Sequence, residues 1–551
     1  MSWHLTLAED TYEAARENFA WEFPEDYNIA WDCLRKHEDT DRPALHQASP
    51  DGRRETYTFD DLDDLSNQVA HALEARGVER GDRVAVVVPQ KPANPLSHLA
   101  CWKLGAVSLP LSVLFGPEAL RYRLQDSGAH VVVADESMLD TIAAVREDCP
   151  DLEHVVAVDA DAPGEGVERF EDVREDQPTD HAIADTDETT PAIIMYTSGS
   201  TGPPKGVLHG HGVWVGHCPA FYMYFEQDVF DGVFWTPADW AWIGALGDLV
   251  FPAWHYGRPV VGYPMEGFDA ETAFELCEEF GVTDTFLPPT AIRMMMSVDD
   301  PEAQYDLSLD AICSGGEPLT PEILDWADDE LAGVAVNELY GQTEANLLVT
   351  NCRQWFPAQA GSMGKPVPGH EVAIVDQETG ERVDDDEVGM IAVRHGPDPV
   401  IFQKYWNEPE KTAAASVEAA DGGPDWHLTD DLGYRDEDGY FWFKARDDDV
   451  IITSGYRVGP GEVESAILEH PDVEQVGVVG IPDDTRGEII KAFVQPVAGV
   501  TGSDALRDAI RDLVRDRLAQ YEYPREIAFV DELPTTTTGK IQRRKLRERD
   551  S

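Results

Sequence analysis

The chain has 551 residues, 106 of them acidic and only 42 basic, for a formal net charge of −64. That length exceeds what one core usually fills, and 42% hydrophobic residues with 9% aromatics can build the cores of two or more domains. With no basic face to neutralise phosphates, nucleic acid is excluded as a partner, and no apolar run approaches the roughly 18 residues of a membrane span.

The acids are scattered through every segment rather than gathered in a block, so an acidic docking surface for a basic partner is disfavoured. At molar salt the screening length falls to about 3 Å and self-repulsion largely vanishes. Together with only 11 lysines among the 42 basic residues, this reads as adaptation to high salt. The seven cysteines, at 33, 101, 149, 218, 277, 313 and 352, form no C-x-x-C pair, which points to a reducing compartment and against a metal or disulfide framework. Residues Met1 to Asp10 are polar and acidic, unlike a signal peptide, and a soluble cytoplasmic protein is expected.

Apolar spacing predicts a helix over 59–81, with Asp60 as a candidate cap. The run Arg83 to Pro89 reads as a strand covered on both faces. A helix from Pro95 to Leu104 leads to a strand around 105–110, and another helix to a strand at 130–134. Helix and strand pieces recur at Ala273 to Gly281, Asp284 to Leu287, Ala311 to Ser314 and Val334 to Leu339. This alternation predicts parallel sheets with helices on both faces. From about 370 short strands between Gly/Asp turns suggest a small barrel or meander, and beyond 450 a compact α+β unit ends in a basic tail.

Between the apolar stretches Ala192–Met195 and Val207–Leu208 lies Tyr196-Thr197-Ser198-Gly199-Ser200-Thr201-Gly202-Pro203-Pro204-Lys205-Gly206. Glycines let backbone N–H groups share one concavity, hydroxyls add donors and the lysine adds charge, a combination suited to a polyphosphate. The spacing is not that of the G-x-x-x-x-G-K-[ST] loop, so this is a different phosphate loop. Ser314-Gly315-Gly316-Glu317-Pro318-Leu319 follows a predicted strand, where glycines allow a flat group against the backbone. Glu338-Leu339-Tyr340-Gly341-Gln342-Thr343-Glu344 closes another, and ligands of open α/β sheets bind at such strand ends. Glu344 is a candidate magnesium ligand. Thr429-Asp430-Asp431 and Lys444-Ala445-Arg446 offer a carboxylate and a guanidinium for a ribose diol and a phosphate. Ser454-Gly455-Tyr456-Arg457 and a glycine-flanked Lys540 complete the set.

In this order, over nearly the whole chain, these segments resemble the adenylate-forming acyl-CoA synthetase superfamily, which includes luciferases and peptide-synthetase adenylation domains. The resemblance implies an α/β fold with a large N-terminal domain, 1–447, of two parallel-sheet subdomains and a small β-barrel. A small mobile α+β C-terminal domain, 448–551, would turn about a hinge at Asp448. It implies ATP, coenzyme A and a carboxylic acid as substrates, with Mg²⁺. Thr197, Ser198, Gly199, Ser200, Thr201 and Lys205 would hold the β- and γ-phosphates. Gly315, Gly316, Glu317 and Tyr340 would frame adenine, Thr343 the α-phosphate, Glu344 the magnesium, Asp431 and Arg446 the ribose, and Arg457 a phosphate. Lys540 would bridge carboxylate and α-phosphate, and Ser454, Gly455 and Tyr456 would line the coenzyme A tunnel. The family usually has glycine where Asp430 stands, which puts the local loop geometry in question.

Acetate-specific members have tryptophan where this chain has Gly341, and the Y-G-Q-T-E segment is closer to the medium-chain synthetases. Each buried methylene is worth about 0.8 kcal/mol, so an opened pocket predicts propionate to octanoate (C3–C8) over acetate. Trp242, among Trp235, Trp240 and Trp254, is a candidate pocket wall; benzoate-like acids remain an alternative. His209, His211, His217 and Cys218 match no usual zinc spacing and are expected to pack near the nucleotide and acyl sites. A carrier-loading ligase or a luciferase-type oxygenase shares the same motifs, while a non-catalytic binder would be expected to lack Lys540 or Glu344. Whether the chain acts as monomer or homodimer is open at this stage. The tail cations Arg543, Arg544, Lys545, Arg547 and Arg549 read equally as a phosphate-attracting patch or a solvated helix end.

Overall fold

A computed structural model describes the chain except residues 1–2, 39, 198–202, 317–318, 396–398, 448, 454–455, 484–486, 519–521, 536–540 and 550–551; at 452, 456, 457, 487 and 516 only the backbone is described. Two compact units emerge, Met1–Val372 with Val393–His427, and Ala373–Ala392 with Leu428–Ser551. The expected boundary at 447/448 falls inside the second.

The first unit holds two large sheets. In one, the strands run Lys404–Tyr405, Lys205–Gly210, Pro191–Thr197, Val107–Pro110, Arg83–Val87, Val131–Asp135, His154–Val158 and Glu168–Arg169 across the sheet. Pairing is parallel from Pro191–Thr197 outward to Glu168–Arg169 and antiparallel at the other edge. The Val84–Val88 run is buried throughout, as a strand covered on both faces requires. The second sheet has nine strands, with a parallel centre from Ala335–Gln342 to Pro43–Ala48 and antiparallel edges. The expected parallel-sheet pair is therefore present.

The predicted helix at 59–81 spans Phe59–Glu74. Its cap is Thr58 rather than Asp60: the Thr58 hydroxyl accepts from the Asp61 backbone N–H, and the Asp61 carboxylate accepts from the Thr58 N–H. This reciprocal pair satisfies two otherwise orphaned donors, which Asp60, one residue inside, cannot do.

Short strands Val372–Val375, Gly389–Arg394, Trp426–Arg435 and Phe441–Arg446 build a further sheet, the expected small barrel-like element. The remainder of the second unit is α+β. Val473–Asp483 and Gly487–Pro496 form a long antiparallel pair, flanked in parallel by Glu526–Phe529. The helices Pro460–Leu468 and Asp504–Arg517 close its core through Val463, Ile467, Ile510 and Val514. Two cations of the basic tail, Arg543 and Arg547, are tied into this fold. Arg543 pairs with Glu464 at 2.6 Å and Asp449 at 3.2 Å, Arg547 with Asp449 at 2.7 Å, and Arg544 with Glu548 at 2.9 Å.

Candidate active site

The phosphate-loop segment joins two antiparallel strands, Pro191–Thr197 and Lys205–Gly210, in which Thr197 and Lys205 are register partners. Thr197 and Lys205 therefore close the two ends of the loop; Ser198, Gly199, Ser200 and Thr201 lie outside the described residues. Strand Lys404–Tyr405 pairs onto the outer edge, with Tyr405 opposite Val207. That pairing sets the Tyr405 ring 4.6 Å from the Lys205 ammonium. The Tyr405 hydroxyl donates to Oε1 of Glu344 at 2.9 Å.

Glu344 sits in the turn of a hairpin formed by Ala335–Gln342 and Asn346–Thr350, in which Gln342 pairs with Asn346. Asn346 closes the turn in the left-handed conformation, φ 58°, which asparagine tolerates better than most side chains. The Glu344 carbonyl accepts from the Phe402 N–H at 2.8 Å, and the residue is 8% exposed. His209 donates its Nε2–H to the Thr343 carbonyl at 2.6 Å, since a carbonyl only accepts. Burial lowers the His209 pKa to about 4, so the ring is neutral near pH 7. The hairpin turn is thus fixed from both sides. A buried carboxylate suits magnesium, which takes one or two carboxylates and completes its shell with phosphate oxygens and water. Glu344 fits that ion.

The adenine-frame candidates are brought together at neighbouring strand ends. Strands Ala311–Gly315 and Ala335–Gln342 pair in parallel, with Ser314 opposite Glu338 and Gly315 opposite Leu339, one residue from Tyr340. A Cβ on Gly315 would lie 2.4 Å from the Leu339 side chain, and Gly316 adopts φ 91°, so neither position accepts an ordinary side chain. Glu317 lies outside the described residues. Glu338 is buried and accepts from the Leu319 N–H at 3.1 Å, and burial pushes its pKa up to about 8.

Gly341 has a role that its sequence context hides. A Cβ there would lie 2.0 Å from the Asn346 carbonyl oxygen, at the register shift between Tyr340 and Gly341. The hairpin needs glycine at 341 whatever passes beside it. Among the four tryptophans, Trp235, Trp240 and Trp254 are fully buried core, while Trp242 is half-buried and meets Phe115 edge-on at 5.9 Å. His209, His211 and His217 do not converge: His217 Nδ1 faces Asp248 at 3.0 Å and His211 Nδ1 accepts from the Ile29 N–H at 3.2 Å.

In the second unit, Asp431 and Arg446 are cross-strand partners of one antiparallel pair, with Arg446 Nη1 3.2 Å from Asp431 Oδ1. Asp431 is buried and its N–H donates to the Thr429 hydroxyl at 3.2 Å. Asp430 takes φ 60°, the left-handed backbone a glycine would adopt, and aspartate is among the side chains that tolerate it. The substitution thus preserves the loop. Arg457 and Tyr456 lie on the Tyr456–Val458 strand, of which the backbone alone is described at these positions; Ser454, Gly455, Asp448 and Lys540 fall outside the described residues.

Motif reading did not assign Tyr405 to the site, and it expected His209 only to pack near it. Tyr405 stands in Lys404-Tyr405-Trp406, a segment with no glycine and no recognisable motif, and only strand pairing brings it to Glu344. His209 had a weak signal, being an inward position on the strand that leaves the phosphate loop.

Residues 34–406 match the AMP-binding enzyme family and residues 462–540 match the AMP-binding enzyme C-terminal domain. The Rattus norvegicus acyl-coenzyme A synthetase ACSM3, mitochondrial, is 34% identical over 552 residues, covering 98% of this chain and 93% of the relative. An acetyl-coenzyme A synthetase of Bacillus subtilis (strain 168) is 36% identical over 529 residues, covering 94% and 90%. Among solved structures, the anthranilate CoA ligase AuaEII in complex with anthranoyl-AMP superposes with a TM-score of 0.85 at 29% identity, over 96% of this chain and 98% of that one. A benzoate CoA ligase from Burkholderia xenovorans LB400 does so at 0.81 and 26%, over 95% and 100%. No helix among the described residues is long and apolar enough to cross a membrane. With its phosphate hairpin, its paired strand ends and these likenesses, the chain belongs to the adenylate-forming acyl-CoA synthetase superfamily of AMP-binding enzymes and is an AMP-forming acid–CoA ligase.

Proposed function

We propose that the chain activates a straight-chain carboxylic acid, propionate to octanoate, in two half-reactions. A carboxylate oxygen attacks the α-phosphorus of ATP, the bond to the bridging oxygen breaks, and acyl-AMP and pyrophosphate form. The sulfur of coenzyme A then attacks the acyl carbonyl, and AMP leaves with the bonding electron pair. The observation that carries this reading is the Lys205–Tyr405–Glu344 cluster: one tyrosine holds an ammonium on its ring and a buried carboxylate on its hydroxyl.

Thr197 and Lys205, with Ser198 to Thr201, hold the β- and γ-phosphates in this reading. Gly315, Gly316, Glu317 and Tyr340 frame adenine, Thr343 binds the α-phosphate, Asp431 and Arg446 the ribose, and Arg457 a phosphate. Magnesium held at Glu344 would offset the charge of the phosphate oxygens. Lys540 bridges carboxylate and α-phosphate where two anions must meet. The domain from 448 onward then turns about Asp448, withdrawing Lys540 and bringing Ser454, Gly455 and Tyr456 to the pantetheine arm, a gate rather than a chemical step. The half-buried Trp242 walls the acyl site. The acidic surface suits a cytoplasm of high ionic strength.

Aryl acids are the second reading, favoured by likeness to ligases of anthranilate and benzoate. The deciding experiment measures coenzyme A-dependent AMP release across straight-chain acids from acetate to octanoate, and benzoate, in molar KCl and in dilute buffer. A maximum between propionate and octanoate that collapses without salt supports the proposal. Acetate or benzoate as best substrate overturns the choice of acid, and AMP release with none of them overturns the reaction.

A further inference from the structure

We propose that His71, Glu74 and His181 form a second, non-catalytic site that binds one zinc ion. His71 and Glu74 lie on one face of the Phe59–Glu74 helix in its last turn, and His181 comes from the irregular segment before the Pro191–Thr197 strand. These three side chains each offer one donor atom, all within 4.8 Å of one another.

The hydrogen bonding sets the chemistry of each donor. His71 Nε2 lies 2.9 Å from the Asp180 carbonyl, which can only accept, so the proton is on Nε2. The lone pair of Nδ1 then faces Oε2 of Glu74 at 3.4 Å. With the ring neutral, two acceptors face each other there, an arrangement that a cation between them stabilises. His181 Nε2 is 3.1 Å from the same carboxylate oxygen. Its other nitrogen is buried without a partner, so Nε2 makes the ring's polar contact with the cluster. Zinc bonds of about 2.0–2.1 Å in tetrahedral geometry separate neighbouring donors by about 3.3–3.4 Å, close to both spacings. The His71–Asp180 bond is also the outer-shell contact that a ligating histidine normally makes. Two imidazoles with one carboxylate select zinc over magnesium or calcium, and three protein donors leave a position for water. The side chains are 26%, 48% and 10% exposed, so the ion has a way in.

The surroundings give the site a structural purpose. Residues 177–185 are laid along the helix region by Gln68 and Asn67, which donate to the carbonyls of Gln177 and Thr179, and by Arg35 and Arg80, which donate to those of His181 and Asp185. An ion at His181 clips this segment to the helix just before the strand that carries Thr197. A second cluster, His130, Glu153 and His154, is less suited. Its histidine rings are 5.9 Å apart, against 4.6 Å for His71 and His181, and the carboxylate that His154 faces, Glu168, is already paired with Arg76 at 2.7 Å.

The test is zinc binding to the full chain after chelator treatment, by titration calorimetry in excess magnesium, with cobalt absorption as a report of tetrahedral coordination. One saturable zinc per chain is expected, weakened at least about tenfold in Glu74→Gln and in His181→Gln, each checked for native circular dichroism. His154→Gln should bind as the parent does. No saturable binding, unchanged affinity in both cluster variants, or loss in His154→Gln alone would overturn the site. Adenylation is not the readout, so failure here is distinct from failure of the proposed reaction.

Discussion

Tyr405 donates its hydroxyl to Oε1 of Glu344 at 2.9 Å while its ring lies 4.6 Å from the Lys205 ammonium. It thereby couples the two charges that a magnesium–nucleotide complex would meet. A hydrogen bond to a charged group contributes about 1.5–3 kcal/mol, so Tyr405→Phe should slow acid-dependent pyrophosphate release roughly 10–100-fold and raise the magnesium concentration for half-maximal rate. Tyr405→Leu removes the ring as well and should further raise the KM for ATP, because Lys205 loses its support. A Tyr405→Phe enzyme with the parental rate and magnesium dependence would show that Glu344 is held without this hydroxyl.

Glu338 yields a pH prediction. Burial raises its folded pKa to about 8 from an ordinary 4.5. Between those values the folded chain keeps a proton that the unfolded chain releases, so stability is greatest below about 4.5 on this account, falls as pH rises toward 8, and is level above. The span corresponds to on the order of 5 kcal/mol. Glu338→Gln keeps the oxygen that accepts from Leu319 and cannot ionise. Its unfolding free energy should match the parent near pH 5 and exceed it near pH 8.5, measured by denaturant titration. Parallel pH profiles for parent and variant would place the titration elsewhere.

The left-handed backbone at Asp430 leads to a third expectation. At φ 60° at an exposed position of the Trp426–Arg435 strand, glycine pays no Cβ penalty, and a left-handed non-glycine residue costs about 1–2 kcal/mol, less for aspartate. Asp430→Gly should therefore raise stability by about 0.5–1 kcal/mol in thermal unfolding and leave the ATP KM unchanged. Asp430→Val, β-branched, should lower stability. A destabilised glycine variant would mean that the Asp430 side chain makes a contact worth more than the strain.

Much of the site was legible because the motifs are local. A loop of glycines and hydroxyls between two apolar stretches is a hairpin loop by its own composition, and Thr197 does pair with Lys205. Glycines that end one strand and an aromatic that ends the next do lie side by side, as parallel pairing requires. What composition could not carry was long-range pairing. Tyr405 reaches Glu344 through a strand laid on Val207 and Leu208, and no local pattern encodes that partner. Gly341 was misleading for a related reason: the absent side chain suggests open space, yet the Asn346 carbonyl occupies the position a Cβ would take. The cap of the Phe59–Glu74 helix was displaced by two residues because Thr58 can form a reciprocal bond with Asp61.

Lys540 supplies the last prediction, and it separates the two half-reactions. In the first, a carboxylate must approach an α-phosphate that is itself anionic, and at close range each unit of like charge opposes the encounter. An ammonium between them offsets that repulsion only while both anions are present. In the second, the acyl-AMP already exists and the attacking thiol meets a mixed anhydride whose carbonyl carries no formal charge, so the same ammonium has nothing to bridge. Lys540→Ala should therefore abolish acyl-AMP formation from acid and ATP but spare thioester formation from supplied acyl-AMP within a few-fold. Both rates are to be measured in the same molar-salt buffer, since screening alone weakens charge effects between exposed groups. Equal loss of both steps would refute a role confined to adenylation and would assign Lys540 to the stability of the domain that carries it.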